Sequence, residues 1–355
     1  MTEARYWTPT SEPGGLRCTL CPHGCALRPG ASGRCGARAN VGGRLHLLTW
    51  GRSSGFCIDP VEKKPFAHVL PGSASLSFGG FGCNLSCACC QNWEISRTRG
   101  AHGPVHRAAD IAAAARREGC RSVAITYNEP LIALEWASEV AAAARAEGLR
   151  VLGVSAGYLA EAARPEFFAC FDAVNLDLKA FSDDTYRRLC GARLAPVLET
   201  LKYGVRASRA WIEITTLVIP GVNDGDAEIA ALAEWIAAEL SPEVPLHLSA
   251  FHPAHRMRDR PPTPAATLVR ARDRARAEGL KFVYVGNLAV ADGGITRCPG
   301  CGRAAIARDG AALAAYGLDD AGRCRECGTA IPGVFDGPPG DWGNRRRPLA
   351  IPANS

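Results

Sequence analysis

Between Ser73 and Val285, short apolar runs alternate with longer stretches in which apolar residues recur every three or four positions. The short runs predict strands over Ser73–Gly79, Ser122–Tyr127, Arg150–Ser155, Ala173–Lys179, Trp211–Ile219, Pro245–Phe251 and Phe282–Val285. The longer ones predict helices over Ala108–Glu118, Leu131–Glu147, Glu161–Ala169, Ala227–Leu240 and Pro264–Glu278. Glycines at 119, 148 and 279 follow three of these helices and predict C-caps just before the next strand. Strands alternating with helices of this length imply βαβ units and a parallel sheet, an α/β fold. About six such units in one core favour a partial (βα)6-type TIM barrel over an open doubly wound sheet. Chemistry is then expected at the C-terminal ends of the strands. The polar motifs fall there: cysteines after the first strand, Asn128 and Glu129 after the second, Asp177 and Lys179 at the end of the fourth.

Composition adds one decisive number, 16 cysteines. The start, MTEARYWTPTSEPGG, does not read as a signal peptide. Nor does any uninterrupted apolar run reach the ~18 residues of a membrane span. A cytoplasmic chain is therefore expected, where disulfides are rare and clustered cysteines read as metal ligands. Cys120, Cys170 and Cys190 are isolated in the sequence and read as small buried hydrophobes. The clusters divide the chain into a Cys-rich N-terminal segment (1–70), the alternating core (71–290), a C-terminal cysteine module (291–336) and a tail (337–355) expected to be disordered. The net charge of +6 is modest and spread out, so no nucleic-acid face is expected. The basic run Arg345–Arg347 reads as a solvated end.

Cys83-x3-Cys87-x2-Cys90 places three thiolates in one short loop. Iron–sulfur cubanes are held by cysteine thiolates, usually four, so three close ligands leave one iron open. A tetrahedral zinc site would want a fourth ligand, and the loop offers only Cys89, next to Cys90. At the C-terminus, Cys298-x2-Cys301 and Cys324-x2-Cys327 form two knuckles, a zinc-ribbon or rubredoxin-like signal whose metal is zinc or iron. At the N-terminus, Cys18, Cys21, Cys25 and Cys35 supply four thiolates for zinc or a second iron–sulfur cluster. His23 is a candidate substitute for one of them, with a surface role as the plainer alternative.

Cys-x3-Cys-x2-Cys after the first strand resembles the signature of radical S-adenosylmethionine (SAM) enzymes. The wider sequence resembles the radical SAM component of the AmmeMemoRadiSam system, a relative of pyruvate formate-lyase activating enzymes. Its landmarks, in order, are CTLCPHGC with GRCGAR, IDPVEKKPFAHVLPG, GCNLSCACCQNWEIS, ITYNEP, NLDLKAF, CGARLAPVLET, TTLVIPGVND, FHPAHRMRDRPPTP, VYVGN and CPGCG with CRECGTAIPGV. The resemblance implies a [4Fe-4S] cluster on Cys83, Cys87 and Cys90, with the amino and carboxylate groups of SAM on the open iron. Reductive cleavage then gives a 5′-deoxyadenosyl radical that abstracts hydrogen from an unidentified substrate. It also implies an electron donor such as flavodoxin or ferredoxin, Memo-like and AMMECR-like partners, and a protein substrate among the candidates. Glycyl-radical activase chemistry is the alternative within this class, and a non-catalytic iron–sulfur electron carrier is the alternative outside it.

Carried over by position, Asn128-Glu129-Pro130 takes the place of the turn that binds the SAM amino group. Asp177 and Lys179 match a charged pair facing cofactor or substrate, with an ordinary strand-end pair as the plainer reading. Ile219, Gly221 and Asn223 match a motif bordering the adenine, or simply a strand-to-helix turn. His252 matches a position that reaches the active site, although a lone histidine is more often structural. Two departures stand out. Cys89 occupies the place of a usual aromatic, and Ser155-Ala156-Gly157 replaces the usual Thr-Asn-Gly. Glu62, Lys63 and Lys64 read as an exposed linker, or as residues near the active site.

Overall fold

The computed structural model describes residues 1–100 and 102–353. Its centre is a nine-stranded sheet. In chain order its strands are β1 (Phe56–Pro60), β2 (Ala74–Phe78), β3 (Ser122–Ile125), β4 (Arg150–Ser155), β5 (Ala173–Asp177), β6 (Trp211–Val218), β7 (Leu246–Ala250), β8 (Val283–Gly286) and β9 (Arg347–Leu349). Strands β2 to β8 are parallel neighbours in sequence order, while β1 pairs antiparallel with β2 and β9 antiparallel with β1. A doubly wound sheet reverses its strand order at a switch point; here β1 to β8 follow one another in a single direction, and only the edge strand β9 returns beside β1. The parallel strands number seven, matching the seven apolar runs of the sequence, with β8 following the last helix.

The helices are α1 (Trp93–Arg97), α2 (Ala108–Arg117), α3 (Leu134–Ala146), α4 (Arg164–Ala169), α5 (Asp183–Cys190), α6 (Ala195–Ala207), α7 (Asp226–Glu239) and α8 (Ala265–Ala277). The periodic apolar faces predicted α2, α3, α4, α7 and α8 to within a few residues. Helices α5 and α6, inserted between β5 and β6, were not expected. Their signals are nevertheless local: Ser182 Oγ accepts from Thr185 N, acidic Asp183 and Asp184 sit in the first turn of α5, and Gly191 closes it in the left-handed conformation.

The N-terminal segment folds as two small three-stranded sheets, Trp7–Pro9 with Leu16–Cys18 and Ala26–Leu27, and Thr2–Glu3 with Arg44–Leu47 and Arg38–Val41. It is locked to the core by a buried ion pair between Arg38 and Glu135 of α3. Arg38 Nε also donates to Ile132 O at 2.8 Å, and Arg5 N donates to Glu135 Oε1 at 2.8 Å. Every charged end of the pair is thus satisfied, the condition under which a buried pair is tolerated.

Residues 337–353 are not the disordered tail that their Pro/Gly/Arg content suggests. Arg347–Leu349 completes the sheet edge, Arg347 pairs with Glu118, and the Arg345 guanidinium lies 4.4 Å over the Trp342 ring. Pro348 is admissible there because an edge strand needs hydrogen bonds on one side only. Asn354 and Ser355, the end of that expected tail, lie outside the described residues. Glu62 and Lys64 are not an exposed linker either. Lys64 is buried against Asp59 at 2.7 Å, and Glu62 is buried against Arg308 of the C-terminal module. Only Lys63 of the three is exposed.

At the N-terminal edge of the sheet, side chains from β6, β7 and β8 meet the C-terminal module in a closed polar network. Glu213 accepts from Ala67 N and His68 N, both at 2.9 Å, and from His247 Nε2 at 2.6 Å. His68 Nδ1 lies 2.6 Å from Pro332 O, which only accepts, so Nδ1 carries the proton. Its Nε2 then accepts from Tyr284 Oη at 2.7 Å. Burial pulls His68 down to about 4. An unfolded histidine takes up its proton near pH 6.5, so between 6.5 and 4 the unfolded chain binds more protons and stability is lost as the pH is lowered. We expect that contribution to reach about 3 kcal/mol at the acid end. Urea titrations at pH 7 and 4.5 should show a smaller pH-dependent loss in His68→Gln than in the parent; equal losses would refute the assignment.

Candidate active site

The three-thiolate loop, Cys83 to Cys90, leaves the C-terminal end of β2 and has no regular structure of its own, so its position depends on borrowed hydrogen bonds. Asn128, at the end of β3, supplies two. Its Oδ1 accepts from Gly80 N and its Nδ2 donates to Gly82 O, both at 2.9 Å. Gly82 N donates to Ile95 O of α1 at 2.9 Å. Ser86 N and Ala88 N donate to Cys190 O and Leu189 O at the end of α5, and Arg256 N donates to Ala88 O from the loop after β7. Gly79 must be glycine: a Cβ there would stand 2.7 Å from Thr126 O.

The residues expected to serve this site fall into distinct roles. Glu129 is buried and accepts from Leu131 N at 3.0 Å, Ser155 Oγ at 2.8 Å and Ala156 N at 2.9 Å. A carboxylate has about four acceptor positions, so these three donors leave one. Burial makes Glu129 a weaker acid than an ordinary carboxyl, opposed by those donors. Pro130 opens the short 3-10 turn that follows, and Ser155 accepts in turn from Gly157 N at 3.1 Å. The substitution of Ser155-Ala156-Gly157 for Thr-Asn-Gly therefore leaves a hydroxyl and a backbone N–H on Glu129.

Asp177 and Lys179 meet at 2.9 Å at the end of β5. Burial alone would lower Lys179, but Asp177 and the thiols of Cys87, Cys190 and Cys89 outweigh it and hold the ammonium well above its usual range. That places a fixed cation beside the thiolate loop, more than an isolated strand-end pair. Asn223 accepts from Ile219 N at 2.7 Å and donates to Lys179 O at 2.9 Å, so it ties the ends of β5 and β6 together. Gly221 sits in the left-handed conformation that this turn requires. His252 is exposed at the ends of β7 and β8, with Nε2 3.3 Å from Asn287 O.

Two contributors escaped the sequence. Cys190 is distant in the chain, yet its thiol donates a hydrogen bond to Cys87; that bond, opposed by burial and aided by Lys179, brings Cys87 down to about 7. It is not the detached small hydrophobe it resembles in the sequence. Trp93 of α1 stacks on His255 at 5.4 Å, joining the thiolate loop to the segment after β7. A surface cleft of about 570 Å³ lined by Arg145, Arg150, Asp172 and Arg209 lies at the opposite edge of the sheet and holds none of these groups.

The C-terminal cysteines form a different kind of centre. Cys298 and Cys327 stand 3.5 Å apart, Cys301 and Cys324 3.8 Å, and all four sulfurs lie within 4.8 Å of one another. A zinc–sulfur bond of ~2.3 Å in a tetrahedron separates sulfurs by ~3.8 Å. The spacing fits one ion, zinc or iron. Three short antiparallel strands, Thr296–Arg297, Ala304–Asp309 and Ala312–Tyr316, carry the knuckles, and among the described residues only these four cysteines converge so tightly.

Two outcomes follow. Asn128→Ala should lower cluster retention, read as iron and acid-labile sulfide per chain, with a ~10–100-fold loss of affinity typical of removing an outer support. Retention equal to the parent would mean that Asn128 is not a clamp. Cys301→Ser with Cys327→Ser should lose one metal ion per chain with acid-labile sulfide unchanged. Loss of sulfide there would refute a single-ion site.

The model of the radical SAM superfamily matches residues 79–233. An uncharacterized protein of Methanocaldococcus jannaschii is 35% identical over 334 residues, covering 93% of this chain and 99% of that protein. Among solved structures, a radical SAM methyltransferase from Sphaerobacter thermophilus is similar at TM-score 0.48 and 14% identity, over 80% of this chain and 76% of that one. A domain of a pyruvate-formate lyase-activating enzyme from Bacteroides vulgatus is similar at TM-score 0.42 and 18% identity, over 47% of this chain and 99% of that one. Among the described residues no helix is long and apolar enough to cross a membrane. With three thiolates on one loop at the C-terminal edge of the sheet, the family match places this chain in the radical SAM superfamily, as an enzyme of that class.

Proposed function

We propose that Cys83, Cys87 and Cys90 hold a [4Fe-4S] cluster with one iron open to SAM, and that the enzyme abstracts hydrogen from its substrate. The observation that carries this reading is the donor set. Three cysteines share one loop at the strand ends, with the Lys179 ammonium beside Cys87 and Cys90 and the thiol of Cys190 against Cys87. A bound cluster, reduced by an external donor, would supply one electron to the sulfonium of SAM and hence a carbon radical for hydrogen abstraction. Glu129 keeps one acceptor position for the SAM ammonium. Lys179 balances anionic charge at the mouth, and Asn223 fixes its backbone.

The run of landmark motifs supports placement in the AmmeMemoRadiSam group, with a reduced flavodoxin or ferredoxin as donor and Memo-like and AMMECR-like proteins as associates. The singly wound sheet supports a partial barrel around the site, and the knuckle spacing supports a zinc-ribbon or rubredoxin-like C-terminal module.

Anaerobic reconstitution with iron and sulfide, then reduction with SAM, should yield 5′-deoxyadenosine, and Cys83/Cys87/Cys90→Ala should abolish it. In the parent, added SAM should shift the electron paramagnetic resonance spectrum of the reduced cluster. A confirmed reduced cluster whose spectrum does not move with SAM would sink the proposal.

A further inference from the structure

We propose that Cys18, Cys21, Cys25 and Cys35 hold a second iron–sulfur cluster that passes electrons to the one on Cys83, Cys87 and Cys90. The relay role rests on the proposed function of the site on Cys83, Cys87 and Cys90; the N-terminal cluster itself does not.

The four cysteines are free, and one is buried and three partly buried in the same core as the catalytic loop. They face a common space. Gly33 is bare between two of them: a Cβ there would stand 3.8 Å from Cys35 Sγ and 4.0 Å from Cys25 Sγ. A side chain at this point would enter the space between the thiols. Among the described residues the C-terminal four alone close to within 4.8 Å, the spacing of a single ion. Neither the N-terminal four nor Cys83, Cys87 and Cys90 close to that spacing. A cubane separates its thiolates more than one ion does, so the wider set suits a cluster.

Four thiolates close such a cluster, which leaves no iron for substrate and points to electron transfer. The placement agrees. Cys35 O presses on the catalytic loop so closely that a Cβ on Gly82, one residue before Cys83, would stand 2.2 Å from it. His23, between Cys21 and Cys25, donates from Nε2 to Asn84 O at 2.8 Å, and Asn84 follows Cys83. That bond ties the segment carrying the N-terminal cysteines to the catalytic loop. Arg99, beyond α1, donates to Gly33 O at 2.9 Å and Ser32 Oγ at 3.0 Å. Residues beside the N-terminal cysteines thus touch Gly82 and Asn84 on either side of Cys83, through the Cys35 carbonyl and the His23 side chain.

The step is a one-electron transfer. A reduced low-potential flavin or iron–sulfur protein loses one electron, the N-terminal cluster gains it and then gives it to the catalytic cluster. No bond forms or breaks.

The test uses the full chain reconstituted anaerobically with iron, sulfide and zinc together. Cys83/Cys87/Cys90→Ala should retain about four acid-labile sulfides per chain and a reduced-cluster resonance unmoved by SAM. Zinc without sulfide in that variant would overturn the cluster. In Cys21→Ala with Cys25→Ala, sulfide should fall by half while the remaining spectrum still shifts with SAM; a spectrum that no longer shifts would count against the catalytic reading instead. The parent, fully reduced, should show spin–spin broadening that both variants lack, and its absence would refute the adjacency. For the relay, the ratio of 5′-deoxyadenosine formed with reduced flavodoxin to that formed with dithionite should fall at least tenfold in the Cys21/Cys25 variant. An unchanged ratio would overturn it.

Discussion

The structure depends on keeping an irregular loop in one place. Three thiolates hold a cluster only if the backbone between them is fixed, and a loop has no ladder of its own to fix it. Here the missing partners come from five separated parts of the chain: the end of β3, α1, the end of α5, the loop after β7 and the N-terminal segment. Each of these parts also belongs to something larger. The geometry of a few atoms near Cys83 is therefore secured by the packing of the sheet and its surrounding elements.

The two edges of the sheet divide the labour. At the C-terminal edge, polar groups retain spare capacity: the last acceptor position of Glu129 and the ammonium of Lys179. At the N-terminal edge the principal groups are mutually engaged. Glu213, His247, His68 and Tyr284 form a chain of partners in which the carbonyl of Pro332 dictates the tautomer, and the C-terminal module caps it. Open capacity suits binding and closed capacity suits anchoring. The single-ion cysteine centre sits on the anchored side.

Much of this was legible in the sequence because it is periodic or compactly spaced. The strand–helix alternation displayed β2 to β8, and the spacings of 83–87–90 and 298–301–324–327 displayed two of the cysteine sets. What stayed hidden depends on contacts across long separations. Lys64 looks like a solvated lysine beside Lys63, yet it finds Asp59 in the interior. Cys190 looks isolated until α5 brings it to Cys87. The edge strand at Arg347–Leu349 is three residues in a proline- and glycine-rich stretch, too short to leave a period. Asn128 was read as a cofactor contact, and its hold on the loop shows only in its two partners, Gly80 and Gly82.

The pairing of Arg38 with Glu135 sets a clock for biosynthesis. The two lie 97 residues apart. At ~5–20 residues per second, Arg38 waits ~5–20 s for its carboxylate to be made. During that interval the N-terminal segment has a guanidinium and four cysteines but no surface on which to settle. The nascent chain is then at its most vulnerable to oxidation and mispairing, and a slower ribosome between codons 38 and 135 would lengthen the exposure.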